Sequence, residues 1–285
     1  MSELGSSILL GIIQGATEFL PVSSSGHLAA VENSAFIHSS IEGLFVEVNQ
    51  LQFNLILHAG TLLAVILYYR KEILSLIVNT LKILTKRHQE VSADSKQLIL
   101  AIIIATIPAL TVPLYKDYVE QATETMVAIS IAFIVNGLFL ITAEKVRKYK
   151  KQTQDDLLSV SVKAAFLIGL FQCIAVFPGI SRSGSTISMA LLLGISASHA
   201  VKFSFLISLP VLGGALLLEG KTVLSNTAFS MDALLIPLIG SLSAFIVGLL
   251  SLQALTWIGK KASFTPFGVY TLILGTILII SGASA

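Results

Sequence analysis

The chain has 285 residues, of which 54% are hydrophobic and only 12% are charged, and its formal net charge is +2. Soluble domains carry about 25% charged residues, so this composition excludes an ordinary soluble protein and predicts an integral membrane protein. The near-neutral balance argues against a nucleic-acid partner, and the single Cys173 excludes an internal disulfide and a thiolate metal cluster. The N-terminal segment has no basic region before its first apolar run, so we expect it to be retained.

Six apolar runs are long enough to cross a bilayer, which requires about 20 residues each. In chain order they lie near residues 50–69, 98–115, 126–143, 200–218, 233–257 and 265–283. Two further apolar segments, residues 11–28 and 169–186, are each broken near the centre by a proline or a Pro-Gly pair. Such a break is typical of a re-entrant helix-turn-helix pair. The sequence therefore predicts an all-α polytopic membrane protein with about six transmembrane helices and two re-entrant pairs.

The two broken segments are copies of one motif. Residues 11–28 read GIIQGATEFLPVSSSGHL and residues 169–186 read GLFQCIAVFPGISRSGST, with six of the eighteen positions identical. Duplicated broken helices are typical of membrane proteins built from internal repeats. We therefore divide the chain into a first repeat over residues 1–150 and a second over residues 151–285. Each repeat holds one re-entrant pair and three crossings, and the two form a single membrane domain.

Loop charges orient these repeats in the membrane. Residues 70–97 and 144–163 are rich in lysine and are predicted to face the cytoplasm. Residues 28–49 contain three glutamates and no lysine or arginine, and are predicted to face outward. Counting crossings from these assignments gives the repeats inverted topology, with the two broken helices meeting tip to tip near mid-membrane.

Each copy of the motif carries a charge that the other lacks. Glu18 is the only full charge within residues 5–30, and Arg182 is the only one within residues 165–200. A charge at the centre of a membrane helix costs about 2.5–3.5 kcal/mol, so both require an explanation. One interpretation is a buried structural ion pair between the repeats. The other is a functional site assembled from both repeats.

The polar residues around these charges favour a phosphate site. Gln14 and Glu18 are four residues apart and share one helical face, where they can approach a metal ion or a polar substrate. Serines after each break are good N-caps for a second helix whose free N–H groups attract anions, and Arg182 adds a two-point grip on phosphate oxygens. For any single serine, helix capping or small-residue packing is the alternative. The serines are Ser23, Ser24, Ser25, Ser181 and Ser183.

One histidine is placed to take part in chemistry. His27 lies three residues after Ser24, so a hydroxyl and an imidazole can interact on one helical turn. This spacing makes His27 a candidate base or nucleophile. We interpret His58 and His199 as packing or interfacial residues and His88 as a solvated loop residue, and predict none of them to be a ligand.

These motifs resemble those of the undecaprenyl-pyrophosphate phosphatase family of the BacA type. The first motif runs from Gln14 to His27 and the second, PGISRSGST, from Pro178 to Thr186. The resemblance covers essentially the whole chain, including the run FNLILHAGTLLAV that begins at Phe53. It implies a multi-pass enzyme of the bacterial plasma membrane, open to the outer side, that hydrolyses the C55 isoprenyl diphosphate to the monophosphate carrier lipid. It also implies dependence on a divalent cation, Mg²⁺ or Ca²⁺, and a role in cell-wall lipid recycling and bacitracin resistance.

Carried onto this chain, the family's acidic motif falls on Gln14 and Glu18, which become the predicted cation ligands. Many members carry glutamate at the position of Gln14, so a two-carboxylate metal site is not implied here. The family's serine and histidine fall on Ser24 and His27. Its Pro-Gly-Ser-Arg motif falls on Ser181, Arg182, Ser183 and Thr186.

The resulting hypothesis makes Glu18, Ser24, His27 and Arg182 the catalytic group. Ser24 attacks the terminal phosphorus, His27 acts as base, Glu18 holds the cation or orients His27, and Arg182 clamps the phosphate oxygens. Direct attack by His27 or by water stays open. The predicted substrate-binding residues are Gln14, Ser23, Ser25, Ser181, Ser183 and Thr186.

A rival function is transport. Inverted repeats with broken helices are also the architecture of secondary transporters, so the same site could move a polyprenyl phosphate lipid across the membrane. Fold alone does not decide between the two functions. The sequence also leaves the oligomeric state open, a homodimer included.

Overall fold

The computed structural model describes residues 2–33, 45, 49–122, 125–150, 160–226 and 231–282, and every regular element in these ranges is helical. The α-helices in chain order are α1 Glu3–Phe19, α2 Ser24–Glu32, α3 Gln50–Tyr68, α4 Arg70–Leu84, α5 Ala93–Thr106, α6 Lys116–Ala122, α7 Met126–Tyr149, α8 Val162–Ile174, α9 Arg182–Leu192, α10 Ala197–Asn226, α11 Met231–Lys261 and α12 Thr265–Gly282. Short 3₁₀ helices cover His88–Glu90 and Ile107–Leu114, and the second continues α5. The predicted all-α class is confirmed.

Five helical stretches are long and apolar enough to cross a membrane. They are Gln50–Tyr68, Ala93–Leu114, Met126–Tyr149, Ala197–Lys221 and Leu234–Lys261. These correspond to five of the six predicted crossings, and the chain is a polytopic membrane protein. The sixth predicted crossing, residues 265–283, falls on α12, which is apolar but has only 18 residues. At 1.5 Å per residue α12 is about 27 Å long, just under the roughly 30 Å hydrocarbon thickness.

The first motif folds as two short helices around a break at residues 20–23. α1 ends at Phe19, and Leu20 is extended, with φ −63° and ψ 146°. Pro21 explains this conformation because a proline disfavours helical geometry in the residue before it. The chain restarts as α2 at Ser24, with Ser23 as N-cap. The predicted helix-break-helix form is therefore present, and its re-entrant course in the membrane stays a prediction.

The second motif repeats this arrangement around a break at residues 175–181. α8 ends at Ile174 and α9 begins at Arg182, with Ser181 as N-cap. Gly179 has φ +98°, a conformation that side chains rarely adopt. A Cβ at this glycine would also overlap the backbone oxygen of Ile129 in α7. The tight second break thus depends on glycine and lies directly against α7.

The helices of the two repeats pack reciprocally. α1 lies against α11, while its repeat counterpart α8 lies against α5 and the 3₁₀ helix that follows it. In the same way α3 packs on α11 and α10 packs on α5, and α7 runs along α12. This exchange of partners suits a two-fold relation between the repeats. The inverted orientation and the division into residues 1–150 and 151–285 stay predictions.

Small residues hold α1 close to α11. A Cβ at Gly11 would overlap the backbone oxygen of Gly240, and the Ser7 hydroxyl donates to Ile236 O over 2.7 Å. Close backbone approach through glycine and serine is the usual means of packing membrane helices, where lipid removes the hydrophobic driving force. The contact between α1 and α11 fixes the position of α1 and, with it, the position of Glu18 in the last turn of that helix.

Candidate active site

Glu18 is the centre of a buried polar cluster drawn from both repeats. It is 7% exposed, and its Oε1 accepts a hydrogen bond from Arg182 Nη2 over 2.8 Å. Its Oε2 accepts from the Ser24 hydroxyl over 2.6 Å. The two breaks therefore bring a carboxylate, a hydroxyl and a guanidinium together, although Glu18 and Arg182 are separated by 164 positions. Sequence reasoning anticipated all three residues.

Gln14 extends this cluster by one helical turn. Its Nε2 donates to Glu18 Oε2 over 3.1 Å, which is the shared helical face expected from the four-residue spacing. Its Oε1 is buried and has no hydrogen-bond partner within the described ranges. A buried unpartnered acceptor costs about 1–3 kcal/mol, so this oxygen is suited to a ligand.

The donor set fits a cation only if other ligands complete it. Within the described ranges there is no group of three or more His, Cys, Asp or Glu side chains able to hold a metal ion. Glu18 and the free Oε1 of Gln14 are hard oxygen donors, and Mg²⁺ is commonly bound by one or two carboxylates together with waters and substrate phosphates. The residues present therefore fit a divalent cation that is shared with a phosphate substrate.

One donor group of Arg182 has no partner among the described residues. Its Nη2 binds Glu18, whereas its Nη1 is buried and makes no hydrogen bond to the residues that the structure describes. A guanidinium with an unused, buried N–H pair beside a serine hydroxyl is suited to an anionic oxygen. Among the described side chains, this nitrogen is the one best suited to receive a phosphate oxygen.

His27 is placed differently from the prediction. Its Nδ1 lies 2.7 Å from Ser23 O and its Nε2 lies 2.7 Å from the Tyr270 hydroxyl, and its ring stacks on that of Tyr270. Because a carbonyl oxygen only accepts, Nδ1 carries the proton, and in the neutral ring the Tyr270 hydroxyl donates to Nε2. The predicted contact between His27 and Ser24 is not present. Ser24 instead turns back toward α1 and donates to Glu18. Because both ring nitrogens of His27 have other partners, Glu18 does not orient His27 either.

Three of the predicted serines build the breaks. The Ser23 hydroxyl accepts from Gly179 N over 3.1 Å and so ties the first break to the second. The Ser183 hydroxyl donates to Leu20 O over 3.2 Å and crosses in the opposite direction. Ser181 Oγ accepts from Gly184 N over 3.0 Å as the cap of α9. All three are buried, so a scaffolding role explains them without a substrate.

The remaining two predicted substrate-binding residues differ in exposure. Thr186 is fully buried, donates to Arg182 O over 2.9 Å and lies 2.6 Å from the Ser204 hydroxyl. Ser25 is exposed and lies 3.4 Å from the Ser23 hydroxyl. Thr186 therefore supports the backbone of Arg182 from the buried side, while Ser25 is accessible to a ligand. Their predicted contacts with substrate stay predictions.

Sequence reasoning missed three polar residues at this site. Asn136 on α7 is 2% exposed, Tyr270 on α12 holds His27, and His58 on α3 lies with Nε2 3.9 Å from Glu18 Oε2. The interpretation of His58 as a packing or interfacial residue is therefore incomplete. Asn136 had a readable signal, since it is a lone strongly polar residue in an apolar membrane helix, as Glu18 is. Tyr270 had none, because a tyrosine near a helix end is ordinary.

Asn136 connects the two breaks. Its Nδ2 donates to Pro21 O over 3.1 Å, and its Oδ1 accepts from Ser181 N over 3.0 Å. One side chain on α7 thus satisfies a backbone group in each break. It holds the N-cap residue before Arg182 in place against the turn that presents Ser24.

Replacing Asn136 with leucine is expected to destabilise the protein by about 2–6 kcal/mol, because two buried backbone groups lose their partners at about 1–3 kcal/mol each. Asn136→Asp keeps both contacts only as the neutral acid, whose C=O accepts from Ser181 N and whose O–H donates to Pro21 O, so we expect a smaller loss in acidic buffer. The measurement is thermal unfolding in detergent. Equal stability of both variants and the parent protein would show that the bridge contributes nothing.

The fold and this cluster define the class: a polytopic helical membrane protein in which two broken helices share one buried acid, hydroxyl and guanidinium site. The model of one family, described as bacitracin resistance protein BacA, matches residues 7–277. The chain belongs to this BacA family.

Curated relatives match the chain along nearly its whole length. An undecaprenyl-diphosphatase of Streptococcus agalactiae serotype V is 37% identical over 280 residues, covering 98% of this chain and 96% of that protein. An undecaprenyl-diphosphatase of Streptococcus pyogenes serotype M12 is 38% identical with the same coverage. Undecaprenyl-diphosphatase 4 of Bacillus thuringiensis is 37% identical over 274 residues, covering 96% of this chain and 95% of that protein.

Proposed function

We propose that this protein is an undecaprenyl-diphosphate phosphatase, which hydrolyses the C55 isoprenyl diphosphate to the monophosphate carrier lipid and inorganic phosphate. The observation that carries the proposal is the free Nη1 of Arg182 beside the Ser24–Glu18 hydrogen bond. The names of the full-length relatives support the same reaction. A role in cell-wall lipid recycling and bacitracin resistance accords with the description of the family.

The geometry favours Ser24 as nucleophile and Glu18 as its base. The 2.6 Å hydrogen bond from the Ser24 hydroxyl to Glu18 Oε2 is the path along which the proton leaves. Ser24 Oγ then forms a bond to the terminal phosphorus, and the bond from that phosphorus to the bridging oxygen breaks. The isoprenyl monophosphate departs, and water hydrolyses the phosphoserine to inorganic phosphate and serine. Direct attack by water, with Glu18 as the same base, gives the same products.

Arg182 changes partner as the substrate binds. In the structure its Nη2 neutralises Glu18, and its Nη1 is unused. Phosphate oxygens that recruit both nitrogens withdraw Arg182 from the carboxylate and make that carboxylate a better proton acceptor. The same guanidinium then stabilises charge on the phosphoryl oxygens in the transition state.

We further propose that a divalent cation, Mg²⁺ or Ca²⁺, is held by Glu18 and the free Oε1 of Gln14 together with substrate oxygens. Such an ion neutralises diphosphate charge when it is bound. His27 is a positioning residue in this proposal, because both of its ring nitrogens are committed to Ser23 O and Tyr270.

The direct test of the function is phosphate release by the purified protein given a polyprenyl diphosphate. We expect release that depends on Ser24, so that Ser24→Ala lowers turnover by about 10²-fold or more. Ser243→Ala is the matched control, because that serine hydroxyl bonds only to Ile239 O within α11 in the described contacts. Transport without hydrolysis predicts no phosphate release, and no observation favours that rival.

The proposed cellular setting is the bacterial plasma membrane, with the site open to the outer side. We also expect no nucleic-acid partner, as the charge balance of the sequence indicates. Size determination in detergent decides whether the protein forms a homodimer.

Orientation is tested by cysteine labelling in whole cells, in a Cys173→Ser background that removes the single native cysteine. Because residues 28–49 lack basic side chains and residues 70–97 are rich in them, a probe at Ser39 should react from outside and a probe at Lys86 should not. Ser39 lies outside the described residues, so this expectation rests on loop charge alone. The reverse labelling pattern would contradict the orientation.

A further inference from the structure

His58 lies beside Glu18, and one of its ring nitrogens makes no hydrogen bond to the residues that the structure describes. Its Nδ1 is 2.8 Å from Asn54 O, and since a carbonyl only accepts, Nδ1 carries the proton. In the neutral ring Nε2 therefore presents a lone pair. That nitrogen lies 3.9 Å from Glu18 Oε2, which is too long for a hydrogen bond. The His58 side chain is 31% exposed, so the space beside it is accessible.

This arrangement has the features of a metal ligand. Histidines that bind metals almost always donate the other ring N–H to a carbonyl or carboxylate, which fixes the tautomer and the ring orientation. His58 already makes that bond to Asn54 O. Nitrogen and oxygen ligands lie about 2.0–2.2 Å from a bound Zn²⁺ ion, so two donors that share one ion would be at most about 4.4 Å apart. The 3.9 Å between His58 Nε2 and Glu18 Oε2 is within that limit, so both atoms can reach one ion.

A third donor belongs to the same cluster. Gln14 bonds to Glu18 through Nε2, and its Oε1 is buried without a partner in the described part of the chain. The three side chains come from α1 and α3, two helices that contact each other directly. Together they supply an amide oxygen, a carboxylate oxygen and an imidazole nitrogen.

We propose that His58 Nε2 is a cation ligand alongside Glu18 and Gln14, and that this nitrogen makes the site prefer a first-row transition ion over Mg²⁺ and Ca²⁺, with Mn²⁺ as the spectroscopic probe. The inference rests on the proposed function only for the presence of a cation. An oxygen-only site suits Mg²⁺ and Ca²⁺, whereas imidazole adds affinity for transition ions. The site therefore differs in metal preference from one built of oxygen ligands alone.

The test measures metal binding without substrate, on the chelator-treated full-length protein in detergent. Melting temperature is followed against MnCl₂ and against MgCl₂ for the parent protein, His58→Gln and His199→Gln. His199 is the control, because its Nδ1 is held by Ser196 Oγ at 2.6 Å and it does not contact Glu18 among the described interactions. We expect His58→Gln to weaken Mn²⁺ binding about 10-fold or more, the scale of losses at metal sites, and to change Mg²⁺ binding less than twofold.

A spectroscopic signal decides the ligand independently of stability. Pulsed electron paramagnetic resonance of bound Mn²⁺ should show nitrogen-14 modulation in the parent protein and in His199→Gln, and none in His58→Gln. If His58→Gln is poorly folded, His58→Asn takes its place, because the parent spectrum shows that an imidazole is bound but not which histidine supplies it. Absent modulation in the parent protein, or unchanged Mn²⁺ binding in a folded His58→Gln, overturns the proposal.

Phosphate release on the same samples separates this inference from the proposed function. Release without nitrogen modulation overturns the role of His58 and leaves the phosphatase intact. Nitrogen modulation without release supports the metal site and contradicts the phosphatase.

Discussion

Arg182→Lys is expected to lower phosphate release by about a thousandfold or more, the scale of an arginine contact to a transferring phosphoryl group. Lysine keeps the charge and can still pair with Glu18. A lysine that pairs with Glu18 has no second, coplanar N–H group to offer a phosphate oxygen. In the parent protein Nη1 of Arg182 is that second group. The loss should therefore appear in turnover while melting temperature changes little.

Arg147→Lys is the matched control for this variant. Arg147 also makes a close arginine–carboxylate contact, with Nε and Nη2 donating to the two oxygens of Glu144 over 2.9 and 2.6 Å, near the end of α7. We expect its turnover to equal that of the parent protein. Parent-level turnover by Arg182→Lys would show that Arg182 serves only to neutralise Glu18.

Glu18→Gln is expected to lower turnover by about 10²- to 10⁴-fold, the usual contribution of a positioned acid–base group. The amide keeps the size of the side chain but cannot take the proton of Ser24. Stability should fall as well, because Arg182 loses its partner, and breaking a buried ion pair costs about 3–5 kcal/mol. Single-variant activity therefore mixes a chemical loss with a structural one.

The double variant Glu18→Gln with Arg182→Gln separates the two losses. Both charges are removed, so melting temperature should recover relative to Glu18→Gln, while turnover should not. Recovery of both properties would identify the pair as purely structural.

The sequence predicted the architecture because its signals are local or repeated. The apolar runs predicted the positions of five crossings, and the duplicated motif predicted both breaks. Pro21 and Gly179 cause these breaks through the conformation of the local backbone, which can be read from the sequence. The isolated charges identified Glu18 and Arg182 as partners because an uncompensated membrane charge is so costly. These arguments need only the position of a residue along the chain.

The predictions that were wrong or incomplete concern contacts between side chains on different helices. Ser24 and His27 share a helical turn, but the start of α2 lies so close to α1 that the Ser24 hydroxyl reaches Glu18 first. His27 is drawn to Tyr270, which is 243 positions away and carries no distinctive pattern. His58 reaches the cluster because α3 packs beside α1, a contact that no periodicity encodes.

The pairing of Glu18 with Arg182 also has a consequence for biogenesis. During synthesis, Glu18 enters the membrane region long before its partner exists, because 164 further residues must be translated. At about 5–20 residues per second this interval is roughly 8–33 s. Throughout it Arg182 has not been made, so the ion pair that connects the two breaks cannot form. The two repeats can therefore be joined by this ion pair only after the second motif has been translated.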